Sequence, residues 1–275
     1  MPTTNGEATD PTLHLPRILC LHGGGVTASA FRIQSRTIIS QLKPYFRLVF
    51  ADGPFLCDAG PGILPVYADY GPFRRWLRWL PEHAAIDRES AVDEIWYQLQ
   101  LAMEEDDGEG ATGEWIGLIG FSQGAKMAAS LLFDQQVKEE LGVNIGPRQT
   151  SWRFAVLMAG RAPLVSLSEY SSDIKGLQHP EQISEGFENL DDPNGKCKLK
   201  LPTIHVHGLK DGGLHLHRRL LEQYCEPDSA TLIEWDGNHR VPIKTNDVRQ
   251  VVNAILDVAQ ETGILTAKQI LEAQE

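Results

Sequence analysis

Short apolar runs alternate along the chain with longer stretches of helical spacing, the pattern of a mostly parallel sheet joined by crossover helices. Arg17 to Leu21 is an apolar run that ends at His22-Gly23-Gly24-Gly25, and Ala28 to Leu42 then carries helix-like spacing. Arg47 to Ala51 reads as the next strand. A capping-box signature at Ser90 and Asp93 predicts a helix through about Met103, and the acidic segment from Glu104 to Gly113 reads as a solvated loop. Trp115 to Gly120 is a buried strand that runs into Ser122 and then into a helix of small and apolar residues, among them Ala125, Met127, Ala128, Ala129, Leu131 and Leu132. Further strands are predicted at Trp152 to Ala159, Thr203 to His207 and Ala230 to Trp235, with helices at Leu214 to Tyr224 and Asp247 to Val258. Leu265 to Ala273 is a last helical piece that docks or frays.

The alternation fails in two places. Between Asp52 and Pro81, prolines and glycines mix with Phe55, Tyr67, Tyr70, Phe73, Trp76 and Trp79, which reads as a lid. The polar stretch from Arg161 to Lys200, with its loop-like Asp191 to Gly195, is too long for a simple turn and reads as a second lid piece. The expectation is therefore a single domain over residues 1–275, with 1–14 as a disordered tail and lid-like insertions at 52–85 and 161–200.

Composition narrows the class. With 25 Lys and Arg against 37 Asp and Glu, the net charge of −12 repels phosphate backbones and speaks against a nucleic-acid partner. Hydrophobic residues at 42% and charged residues at 23% suit a globular chain and rule out collagen, coiled coil and wholesale disorder. Cys20, Cys57, Cys197 and Cys225 are too few and scattered for a disulfide framework, and none forms a CxxC pair. Met1 to Pro11 has no apolar signal core, and no run reaches the roughly 18 apolar residues of a membrane span. No glycosylation acceptor occurs, and Leu271 to Glu275 match no common targeting tail, so the expected location is cytoplasmic.

The strongest chemical signal is Gly120-Phe121-Ser122-Gln123-Gly124. It follows an apolar strand and opens a helix, the strand–turn–helix setting of a nucleophile elbow in α/β-hydrolases. Ser122 is accordingly the candidate nucleophile. A serine hydroxyl needs a base and a group to orient that base, and in this fold the chain order is Ser, acid, His. Asp211 lies just past the strand ending at His207, and His239 just past the last strand, which makes them the candidate acid and base. Oxyanion donors are expected from the N–H of Gln123 and from the loop after Leu21, with Gly24 the first choice and Gly25 the second.

Other patterns compete. Gly108 to Gly113 spells G-x-G-x-x-G but precedes a strand, so it is no dinucleotide site. His205 and His207 share a strand face near His215 and His217, which invites a metal reading; buried, hydrogen-bonded core histidines are the preferred alternative, and no metal or cofactor is expected.

Taken together, Leu19 to Gly23, Phe50 to Pro54, Gly120 to Gly124, the His207-Gly208 turn with Asp211, and Gly237, His239 and Pro242 resemble the FSH family of serine hydrolases, a branch of the α/β-hydrolase fold, from Ile18 to about Val258. Within it, His22 to Gly25 and the run from Tyr70 to Trp79 resemble the thioesterases encoded with fungal polyketide synthases. The resemblance implies a parallel sheet flanked by helices, a Ser122–His239–Asp211 triad, and release of an acyl or polyketide chain from an acyl-carrier protein in secondary metabolism. Phe55, Tyr67, Phe73, Trp76 and Trp79 are expected to line the acyl tunnel, or else to fill a core under the lid. Arg74, Arg75 and Arg78 either meet the carrier protein or form a solvated face. Two other readings stay open: a carboxylesterase on small free esters, and an inactive hydrolase fold used as a binding module.

Overall fold

The computed structural model describes residues 10–143, 150–184 and 197–273. Six strands form the main sheet: β1 (Arg17–Leu21), β2 (Arg47–Ala51), β5 (Trp115–Phe121), β6 (Phe154–Met158), β7 (Thr203–Gly208) and β8 (Ala230–Trp235). Their spatial order is β2-β1-β5-β6-β7-β8, and every described pairing is parallel. The chain leaves β1 toward β2 on one side and returns to β5 on the other, so β1 and β5 flank the switch point where open α/β sheets place their ligands.

Alternating side chains face two helix layers. Leu19, Leu21, Leu118 and Leu157 join a core with α3 (Arg88–Gly108), α4 (Gln123–Glu140) and α5 (Leu214–Tyr224). Ile18, Cys20, Val156 and Val206 join a second core with α1 (Ala28–Gln34), α2 (Arg36–Leu42) and α6 (Thr245–Glu261), against which α7 (Ala267–Glu272) rests Ile270. The inner strands β1, β5, β6 and β7 are thus buried on both faces, which explains why they read as apolar runs, while the edge strands β2 and β8 are partly exposed.

Three expectations about the helices are corrected. The single helix foreseen from Ala28 to Leu42 breaks at Ser35, whose ψ of 7° ends α1 and starts α2. α3 begins at Arg88 because Asp87, not Ser90, is the cap: its Oδ1 accepts the Ser90 N–H at 2.9 Å and its Oδ2 the Ser90 hydroxyl at 2.7 Å. α3 also runs on to Gly108, through half of the stretch foreseen as a solvated loop. Asp106 is buried there between two strand arginines, 3.2 Å from Arg17 Nη1 and 2.7 Å from Arg47 Nε, while Asp107 and Glu109 also pair with Arg17 and Arg47. The acidic run therefore fastens the helix to β1 and β2.

Of the expected tail, residues 1–9 lie outside the described residues; Asp10 accepts from Arg47 at 2.8 Å, and Thr12 is buried. Segment 52–85 holds a small antiparallel pair, β3 (Phe55–Leu56) with β4 (Arg74–Arg75). Of segment 161–200, residues 185–196, with the Asp191 to Gly195 loop, lie outside the described residues, while Leu164, Val165, Leu167 and Leu177 are buried in the α3–α5 core. No helix among the described residues is long and apolar enough to cross a membrane.

Candidate active site

Ser122 stands between β5 and α4 with φ 53° and ψ −114°, a conformation that side chains with a Cβ rarely adopt. The flanking glycines make the turn possible by close approach: a Cβ on Gly120 would lie 2.3 Å from Gly124 O, and one on Gly124 would lie 2.0 Å from Leu21 O. The Ser122 N–H is anchored to Met158 O at 2.8 Å, and its hydroxyl makes no cap on α4. Its Oγ instead meets His239 Nε2 at 3.0 Å.

His239 Nδ1 lies 2.6 Å from Asp211 Oδ2, and the other carboxylate oxygen accepts the Gly213 N–H at 2.8 Å. Burial of Asp211 favours the neutral acid, but the Gly213 and His239 hydrogen bonds outweigh it and hold the carboxyl below its ordinary value. The fold thus joins Ser122, His239 and Asp211 from the ends of β5, β8 and β7. His239 is partly open to solvent, with 37% of its side chain exposed, whereas the Asp211 side chain is buried.

On the opposite side, the loop after β1 lies beside the start of α4. As first residue of α4, Gln123 has a backbone N–H without an intrahelical acceptor. The Gly25 N–H already donates to Arg74 O at 2.9 Å, which corrects the second oxyanion choice. Trp79 lies over Gly24, where a Cβ would come within 2.8 Å of its ring.

Two residues do more than the sequence disclosed. His22 is fully buried; its Nδ1 donates to Gly23 O at 2.7 Å and its Nε2 accepts the Gly53 N–H at 2.8 Å. Burial lowers its pKa to about 4, so the ring is a neutral strut. The Gln123 side chain accepts from the backbone N–H groups of Trp76 and Leu77 and donates to Leu77 O. The motif spelled out the serine and glycines; it carried no signal for these side-chain partners, which are remote in sequence.

The five aromatics foreseen as tunnel lining do not share one wall. Trp76 is fully buried, and its indole N–H donates to His22 O at 2.9 Å. Phe55 lies under the Arg75 guanidinium at 4.8 Å, Tyr67 and Phe73 pack on the α1–α6 core, and Trp79 alone of the five covers Gly24. Arg74 donates to Gly53 O at 3.2 Å, Arg75 is buried, and Arg78 donates to Glu181 O at 3.4 Å, so none of the three simply decorates a solvated face.

Of the histidines weighed for metal binding, His205 lies 3.2 Å from Thr203 Oγ1 and 3.4 Å from Cys225 Sγ, and His215 is exposed. His207 and His217 are buried without hydrogen-bond partners, and burial lowers them to about 4 and about 3. Asp211, His217 and His239 each offer a ligand atom within 4.8 Å of the others, but a cation there would have to displace the proton shared by His239 and Asp211.

Residues 12–251 match the family described as Serine hydrolase (FSH1). The chain is 50% identical to the esterase citA of Monascus ruber, over 96% of this chain and 99% of that one. It is 51% identical to the esterase pigG of the same organism, over 95% and 97% of the two chains. Among solved structures, acyl-protein thioesterase 2 of Zea mays superposes with a TM-score of 0.53 at 14% identity, covering 89% of this chain and 94% of that one, which supports the shared fold.

Proposed function

This chain belongs to the FSH1 family of serine hydrolases, and from that premise we propose that it cleaves an ester or thioester through an acyl-enzyme on Ser122, releasing an acyl or polyketide chain from an acyl-carrier protein in the cytoplasm of a fungal secondary-metabolite pathway. In this reading the chain is a single domain in which 52–85 and, of the second insertion, the described residues 161–184 and 197–200 act as lid pieces. The observation that carries the reading is His239, placed 3.0 Å from Ser122 Oγ and 2.6 Å from Asp211 Oδ2.

In this reaction His239 Nε2 takes the Ser122 proton as Oγ attacks the substrate carbonyl carbon. The developing oxyanion rests on the N–H groups of Gln123 and Gly24, each worth about 2.7–4 kcal/mol in such sites. Asp211 keeps Nδ1 protonated and stabilises the imidazolium without taking its proton. Collapse breaks the bond to sulfur or oxygen, and His239 gives the proton to the departing thiolate or alkoxide, which leaves as thiol or alcohol with His239 neutral again. The same histidine then deprotonates water, which attacks the acyl-enzyme and releases the carboxylic acid together with free Ser122. Relatives named esterases support the ester as substrate, and the carboxylesterase on small free esters is the alternative to carrier-bound cargo.

The test is labelling with a fluorophosphonate, peptide mapping of the adduct, and turnover of aryl ester, acyl-coenzyme A and acyl-carrier thioester. The adduct should sit on Ser122, vanish in Ser122→Ala and fall sharply in Asp211→Asn and His239→Ala. A folded protein that takes no label is a binding module. Equal turnover of the free and carrier-bound substrates would return the function to a general carboxylesterase.

A further inference from the structure

Two basic side chains beside the elbow, buried Lys126 and half-buried Arg161, make no ion pair with any carboxylate among the described residues. Lys126, one turn into α4 from Ser122, is 4% exposed, and its Nζ donates only to the neutral Gln178 Oε1 at 2.6 Å and Ser184 Oγ at 3.2 Å. Arg161 follows the end of β6, and its Nε is buried with no hydrogen-bond partner. Among the described residues neither cation makes an ion pair. Burying a cation without a counter-charge is costly, so such a group is held either for an incoming anion or at the expense of stability.

The backbone brings Arg161 to this place. A Cβ on Gly160 would lie 3.1 Å from Ala125 Cβ and 2.9 Å from Leu220 Cδ2, so the chain leaving β6 runs hard against the first turn of α4. At the far end of Arg161, the position a Cβ on Gly213 would occupy lies 3.0 Å from Arg161 Nη2, 3.3 Å from Asp211 Oδ1 and 3.3 Å from His217 Nε2. Arg161 therefore spans from the start of α4 to the acid side of the site. Arg161 makes no hydrogen bond or ion pair with Asp211, whose two oxygens are engaged by Gly213 and His239.

We propose that Arg161 and Lys126 form an anion subsite of the active-site crevice that receives a negatively charged group of the substrate, either a carboxylate on the acyl chain or a phosphate on the arm of the leaving group. The assignment rests on the esterase reading above. The crevice at the strand ends is where ligands of this architecture bind, the α4 N-terminus adds its positive end, and the planar guanidinium fork matches carboxylate and phosphate alike. Burial, with Arg161 alongside, lowers the Lys126 ammonium to about 7, so an arriving anion would also draw a proton onto Lys126.

The experiment compares two matched pairs: nitrophenyl hemiglutarate with nitrophenyl butyrate, and acetyl-phosphopantetheine with acetyl-pantetheine thioester. In one pair the native enzyme should favour the charged member in kcat/KM, and Arg161→Gln and Lys126→Met should each lower that charged-to-neutral ratio by about tenfold or more. The responding pair identifies the source of the anion. Ratios that Arg161→Gln leaves unchanged in both pairs overturn the subsite. If no ester turns over at all, the esterase reading fails instead. Calorimetry with glutarate and phosphopantetheine then reads the subsite alone: binding lost in Arg161→Gln supports it, and binding that is absent or equal in both proteins overturns it.

Discussion

Gln123 holds the backbone of Trp76: its side-chain Oε1 accepts the Trp76 N–H at 2.7 Å and that of Leu77 at 3.1 Å, while Nε2 returns a bond to Leu77 O at 3.1 Å. The residue after the nucleophile is thereby tied to the segment that carries Trp79 over Gly24. Replacing it by leucine keeps the backbone amide but strands three polar groups, each costing about 1–3 kcal/mol when buried. Gln123→Leu should lower the melting temperature by several degrees and reduce ester kcat/KM about tenfold or more through loss of donor alignment. Thermal denaturation and steady-state assays check both, and unchanged turnover would detach the side chain from the site.

Gly24→Ala tests the contact with Trp79. The new methyl would meet the indole at 2.8 Å, closer than unbonded carbons approach. Kcat for an aryl ester should fall about tenfold to a hundredfold as the loop shifts, in line with the cost of small misplacements. Adding Trp79→Ala should restore part of it. A double-mutant cycle with no coupling would show that the two do not press on one another.

Asp106→Asn should be among the more damaging changes away from the site. It removes the charge shared by Arg17 and Arg47, all three being less than 10% exposed. Breaking a buried ion network of this kind costs about 3–5 kcal/mol. Urea unfolding should show a lower midpoint, while kcat of the folded fraction stays near native.

Four buried histidines set an acid limit on stability. Burial lowers His22 and His207 to about 4, and His205 and His217 to about 3, from an ordinary value of 6.5. Between those values the unfolded chain binds more protons than the native one, so stability rises with pH. Their contribution is fully present above about pH 6.5 and declines as pH falls through the folded values near 4 and 3. Urea midpoints recorded from pH 7 to 4 should drop steadily, and His205→Asn should flatten the slope by about one proton if it folds. A midpoint constant across that range would mean that these rings are charged or solvated in the native state.

Much of this was legible in order along the chain. β1, β2, β8 and α5 fall where the short apolar runs and the helical spacing put them, because a strand and a one-sided helix leave different periods in the sequence. The end of α3 was not legible: Asp106 looks like surface charge until Arg17 and Arg47 are seen to enclose it. For the same reason the sequence left the lid aromatics open between tunnel wall and core under the lid. Trp76 has the composition of a pocket wall, yet it lies buried beneath His22.

The sequence by itself determined the strand–helix order, the elbow around Ser122 and the positions of Asp211 and His239 just past two strands. Those features depend on local backbone demands: glycines where chains touch, polar residues where strands end. Only the tertiary structure decided that these residues meet, that the Gly25 amide is committed to Arg74, that Gln123 clamps the segment of Trp76, and that Arg161 and Lys126 stand near the nucleophile without an ion-pair partner among the described residues. Each of these is a relation between groups far apart in the chain, set by strand order and by which side chains exclude water, and no local pattern encodes it.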